Sequence, residues 1–170
     1  MYDLIKILFD ISLFKKGPED LPYSKVLAKL LIVTYSAIRF MLLNMALNWQ
    51  TAIIQIGFEI VYIAGFSWLI LYFNRKLARY VQLTNALFGV FALLAFISLP
   101  AYATVELGRG GLLVMLAMLI LMGWYCAVTT HIFYHTMDYR LGMSVGLGLL
   151  FLIGAYLLPN YLFSDQYGLN

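Results

Sequence analysis

The sequence predicts an all-α integral membrane protein, with five transmembrane helices and an N-terminal interfacial amphipathic helix. Three observations lead there. The 170 residues are 64% hydrophobic and only 11% charged, where an ordinary soluble domain is about 45–50% apolar and about 25% charged. So short a chain cannot hide that much apolar surface in one core, so lipid is the expected solvent for much of it. Five apolar runs reach the about 20 residues that a helix needs to cross a bilayer. Finally, the cationic residues gather in alternate connectors.

The first 16 residues, "MYDLIKILFDISLFKK", place Asp3, Lys6 and Asp10 at helical spacing on one narrow face, with Leu4, Ile5, Ile7, Leu8, Ile11 and Phe14 over the rest. That pattern suits a helix lying in the cytoplasmic interface plane. The other arrangement is a sixth, non-spanning helix packed against its neighbours. With Asp3 and Asp10 inside it and no small-residue cleavage site after it, the segment does not read as a cleaved signal peptide and is expected to stay on the mature protein.

Residues 17–25 form a proline-containing elbow. Gly17 can end the first helix and Pro18 cannot continue it. Pro22 biases Leu21 to extended geometry, and Ser24 can cap the helix that follows. Glu19 and Asp20 sit near that helix's N-terminus, where negative charge is favoured. The turn is thus required by the architecture, and its acids are also placed where a cytoplasmic partner could read them.

The transmembrane domain, residues 26–163, is read as spans over 26–47, 51–73, 80–102, 111–133 and 141–163, joined by short connectors and followed by a short outer tail, 164–170. Pro100 is expected to end the third span, and Pro159 to kink or end the fifth. With the N-terminus inside, the inner segments hold Lys6, Lys15, Lys16, Lys25, Lys29, Arg75, Lys76, Arg79 and Arg140, while the outer ones hold only Arg109. Positive loops stay cytoplasmic, which puts the C-terminus outside, in what reads as a bacterial cytoplasmic (inner) membrane. Trp68, Tyr72 and Tyr80 bracket the inner interface, and Trp49 and Tyr102 mark the outer one. The single cysteine, Cys126, allows no intramolecular disulfide.

Two ionisable residues lie mid-span. Arg39 there costs about 2.5–3.5 kcal/mol on insertion scales. Glu59 lies as far after Trp49 as Arg39 lies before it, so an antiparallel hairpin turning at Trp49 brings them to one depth. They are expected to form an intramembrane ion pair or to share a polar network with Gln55 and Asn44. Such a pair can simply lock the hairpin, or it can serve a gated or proton-linked site.

In "HIFYHTMDYR", His131, His135 and Asp138 are spaced i, i+4, i+7 and would share a helix face. Two histidines and a carboxylate so placed can hold zinc; the alternative is interfacial polar residues pairing with Glu19 or Asp20. Gly142 and Gly146 have the spacing that lets membrane helices approach closely, either within the chain or against another subunit, with Gly148 and Gly154 adding small residues. Catalytic constellations are absent and no cofactor is expected. "GRGG" at 108–111 has too little company to be a nucleotide site. The basic residues suit anionic lipid headgroups, not nucleic acid. Glu19, Asp20, Arg75, Arg79 and Arg140 are the candidates for interaction at the cytoplasmic face.

Five spans with a proline-bearing entry to the first, the stretch "GPEDLPYS" at 17–24, and the tryptophan-then-histidine pattern from Trp124 to His135 resemble the Yip (Ypt/Rab-interacting protein) family of small membrane proteins, in its compact bacterial form. Eukaryotic members act in vesicle traffic and contact small GTPases through a longer cytosolic N-terminal region. The resemblance implies a non-enzymatic membrane scaffold and brings no catalytic residue. The expected function is therefore an accessory, scaffold or assembly subunit of a membrane complex, with membrane lipids and other proteins or copies of itself as partners. A small transporter or channel subunit using Arg39 and Glu59 is the alternative, and a metal-dependent membrane enzyme built on His131, His135 and Asp138 is the third.

Overall fold

The computed structural model describes residues 2–138 and 140–162. Among them there are helices and turns and no strand. In chain order the helices are α1 (Tyr2–Ser12), α2 (Lys25–Ala46), α3 (Trp49–Phe73), α4 (Tyr80–Glu106), α5 (Leu112–Met137) and α6 (Leu141–Leu162), with one-turn 3-10 segments at Pro18–Asp20 and Leu77–Arg79. Five of these helices are long and apolar enough to cross a membrane. The outer tail, 164–170, and position 163 lie outside the described residues.

Local chemistry sets the ends. Ser24 caps α2, its hydroxyl accepting from the Leu27 amide at 3.3 Å. Asn48 caps α3 by accepting from the Thr51 amide at 2.9 Å, so the α2–α3 connection is only two residues long. Three helices end in left-handed residues that are not glycine: Phe14 (φ 60°) after α1, Arg75 (φ 54°) after α3 and Asp138 (φ 54°) after α5. Aspartate tolerates this conformation; bulky residues rarely adopt it. At Phe14 the Lys15 amide reaches back to the Asp10 carbonyl at 2.8 Å, the long closing bond of a Schellman turn. The Phe14 ring then meets His131 edge-on, with centroids 5.3 Å apart.

α4 is the hub. Half of its most apolar stretch is buried, against 11% for α5 and 17% for α6. Leu83, Leu87 and Val90 are fully enclosed, and Phe133 of α5 and Phe151 of α6 pack beside them. The outer helices keep most of their apolar side chains outward: Val26, Leu113 and Tyr161 are each more than three-quarters exposed. Apolar surface on that scale is far beyond what a monomeric soluble protein presents.

One feature departs from the sequence reading, and two bear on alternatives it left open. α4 passes through Pro100 and runs on to Glu106. Proline deletes one bond, to the Phe96 carbonyl, and in an apolar setting the next residues have no partner but the helix itself, so it resumes. α1 packs one face against α4 and α5 and leaves Ile5 and Phe9 outward. Ile11 is fully buried and Leu8 nearly so, with Leu8 filling the space at Gly89 where any Cβ would collide with it. The Trp124 indole donates to the Ser12 carbonyl at 2.8 Å. Trp124 stands about 20 Å from the end of α5 at about 1.5 Å per residue, so the end of α1 docks well within the length of the bundle. Gly142 and Gly146 face open space; the close approaches fall instead at Gly148, where a Cβ would stand 2.7 Å from the Thr130 hydroxyl, and at Gly154, against the Tyr62 hydroxyl. Spacing locates a small-residue stripe but not the neighbour it faces.

Candidate functional site

Two polar clusters lie inside this frame. The first joins α2 to α3. The two-residue turn sets the hairpin register, and Arg39 and Glu59 meet across it. Arg39 Nε donates to Glu59 Oε2 at 2.8 Å, and Arg39 Nη2 donates to Glu59 Oε1. Tyr35, one turn before Arg39, donates its hydroxyl to Glu59 Oε2 at 2.7 Å. Both carboxylate oxygens are therefore engaged, by a bidentate guanidinium and a phenol. Glu59 and Tyr35 are buried, and Tyr35 rests edge-on against Phe88 of α4, centroids 5.5 Å apart. Tyr35 was not anticipated, because a tyrosine in an apolar run reads as core; its position i−4 from Arg39 was the available signal. Gln55 is buried nearby in sequence, while Asn44 is exposed.

The second cluster sits at the end of the bundle that carries Lys25, Arg75, Lys76, Arg79 and Arg140, here called the basic end. α5 stops at Met137, and Asp138 turns left-handed, so its carboxylate leaves the histidine face. It meets Lys76 Nζ at 2.8 Å and Arg79 Nη1 at 3.2 Å. Lys76 also donates to the Met137 carbonyl at 2.6 Å and Arg79 to the Thr136 carbonyl at 2.8 Å. These cations cap the C-terminus of α5, where carbonyls lack partners and the dipole favours positive charge. The hydrogen bond from Lys76 and the charge of Arg79 hold the Asp138 carboxyl below its ordinary value.

The histidines hold the elbow. His131 Nε2 bonds the Lys16 carbonyl at 2.9 Å, and His135 Nδ1 pairs with Glu19 Oε1 at 3.0 Å. Gln82 of α4 reaches the Leu21 carbonyl at 3.4 Å. Asp20 accepts from the Gly17 amide at 3.0 Å and closes the elbow on itself. Gly17 and Pro18 are buried beneath, while Glu19 and Asp20 are exposed. The His131 and His135 rings lie 4.5 Å apart, but Asp138 is committed to Lys76 and Arg79. Among the described residues no three His, Cys, Asp or Glu side chains come together in an arrangement that can hold a metal ion. Arg75 and Arg140 are exposed, and no described carboxylate pairs with either. Lys76 was read only as a connector charge, yet it anchors Asp138.

Comparison of the chain with protein-family models, with curated proteins and with solved structures found no match.

Proposed function

We propose that the chain is a multi-pass membrane protein that acts by association, as an accessory, scaffold or assembly subunit of a membrane complex. Its proposed home is a bacterial inner membrane, and the bias of lysine and arginine supports a cytoplasmic basic end with the C-terminus outside. It works without catalysis, and the Yip-like entry to the first span belongs to the same reading.

The observation that carries it is the elbow. Residues 16–21 are tied down by His131 at Lys16, His135 at Glu19 and Gln82 at Leu21, with Gly17 and Pro18 buried. A tied-down loop with two exposed acids, at the end of the bundle that also exposes Arg75 and Arg140, is a preorganised surface of mixed charge. Preorganised surfaces lose little entropy when a partner docks, and their charges set register and specificity. By contrast, both Glu59 oxygens are already bonded within the chain, which favours a hairpin lock over a site for a moving ion.

The test removes charge and keeps the hydrogen bonds. In Glu19→Gln with Asp20→Asn, the amide oxygens can still accept from His135 and the Gly17 amide. The protein should stay in the membrane with unchanged stability and recover less of its co-purifying subunit. Unchanged recovery removes the elbow from the interaction surface.

A further inference from the structure

The hairpin of α2 and α3 opens toward the basic end. Near the turn, Leu43, Ala52 and Ile56 form a small apolar cluster of their own. Next come Tyr35, Arg39 and Glu59, which lock the two helices together. Beyond that lock the helices part, with α4 behind them, and leave an open groove of about 440 Å³. Ala28 and Ile32 of α2 line one side and Ala64 of α3 the other; Tyr80 and Phe88 of α4 line it from behind, and Lys25 stands at its mouth. Alanines at 28 and 64 leave unfilled the space that leucines would occupy.

We propose that this groove holds an acyl chain of one anionic phospholipid from the leaflet at the basic end, with the lipid phosphate against Lys25. The inference rests on the reading that the chain spans a membrane. A slot lined mostly by apolar side chains, Ala28, Ile32, Ala64, Leu77, Val81 and Phe88 among them, is poor for water, which needs two to four polar partners. Of the hydroxyls that line it, Tyr80 donates to the Ala64 carbonyl at 3.4 Å and Thr84 to the Tyr80 carbonyl at 2.8 Å, while Tyr23 is exposed beside Lys25. In a bilayer the adjoining solvent is acyl chain. The mouth supplies selectivity. Lys25 is exposed at the first turn of α2, Lys29 follows one turn on, and neither pairs with a described carboxylate. Basic residues beside pockets between transmembrane helices attract anionic headgroups, by roughly fivefold in affinity for each lysine.

The experiment uses the full-length protein, solubilised in mild detergent, stripped of lipid and titrated separately with phosphatidylglycerol, phosphatidylcholine and glycerol 3-phosphate under native mass spectrometry. One phosphatidylglycerol per chain should be retained in preference to phosphatidylcholine, and glycerol 3-phosphate, which has no acyl chain, should not bind. Lys25→Gln should lower phosphatidylglycerol retention about fivefold and leave phosphatidylcholine unchanged. Ala64→Leu and, separately, Ala28→Leu should abolish retention of both; should one of them unfold, the other decides. Equal retention of the two lipids by wild type, or lipid retained in a folded leucine variant, overturns the proposal. Binding of glycerol 3-phosphate as tight as that of the lipid also overturns it, since the site would then be one for free phosphate. Alkaline carbonate extraction separates the two readings: release of the protein defeats membrane insertion itself, while a retained protein with no lipid in the groove defeats only this inference.

Discussion

Replacing Glu59 with leucine removes the acceptor for Arg39 Nε, for Arg39 Nη2 and for the Tyr35 hydroxyl. Breaking a buried ion pair by deleting one partner costs about 3–5 kcal/mol, because the remaining charge is left without compensation. The Arg39 side chain is 26% exposed; with α2 spanning a bilayer as proposed, that exposure is to lipid and water does not screen it. Glu59→Leu should therefore lower stability by about 3–5 kcal/mol. The double variant Arg39→Met with Glu59→Leu removes both charges and leaves only the Tyr35 hydroxyl unpaired. Its cost should fall to about 1–3 kcal/mol, the desolvation penalty of one orphaned polar group. Reversible unfolding in mixed micelles, followed by tryptophan fluorescence and far-ultraviolet circular dichroism, measures both. The reasoning fails if Glu59→Leu costs under about 1 kcal/mol, or if the double variant costs the sum of the two single ones.

Gly154→Val should strike the Tyr62 hydroxyl, which donates to the Phe151 carbonyl at 2.9 Å, and lower stability by about 1–3 kcal/mol in the same unfolding assay; Gly142→Val, facing open space, should change it by less than about 0.5 kcal/mol. Equal effects would contradict this packing. Trp124→Phe should loosen α1 by about 0.5–1.5 kcal/mol through loss of the bond to Ser12, seen as faster hydrogen exchange in residues 2–12 with the other helices unchanged; uniform exchange across the chain would argue against it. Asp138 is lowered by Lys76 and Arg79, so its contribution is fully present above the ordinary carboxylate value, near pH 4, and is lost as pH falls through the lower folded value. Hydrogen exchange at the basic end should then rise below about pH 4 in wild type and show no such step in Asp138→Asn; matching profiles would show that Asp138 does not link folding to pH there.

Much of this architecture was legible because five long apolar runs mark five long helices and because hairpin geometry is simple. Five apolar runs and a tight turn near Trp49 were enough to set Arg39 opposite Glu59. What could not be read were quantities that depend on which way a helix is rotated. Gly142 and Gly146 carry the spacing of a packing motif, yet Gly148 and Gly154 carry the contacts, because spacing defines a stripe and leaves its facing open. Asp138 fitted the histidine face only if α5 ran on through it; a left-handed residue at 138 swings the carboxylate to Lys76 and Arg79. Pro100 read as a stop because that is its effect in water, where freed carbonyls find other partners. The elbow was legible as a turn from Gly17, Pro18 and Pro22, whereas its attachment through the Lys16 carbonyl to His131 joins residues far apart in sequence and leaves no local trace.

The central claim is that this protein works as one part of a larger membrane assembly. A native mass spectrum of the tagged protein, purified from its own membrane in mild detergent, tests it most directly. The account predicts the mass of this chain together with another polypeptide in fixed ratio, and loss of that ratio when Glu19 and Asp20 become Gln and Asn. A lone chain, or copies of this chain only, would contradict it.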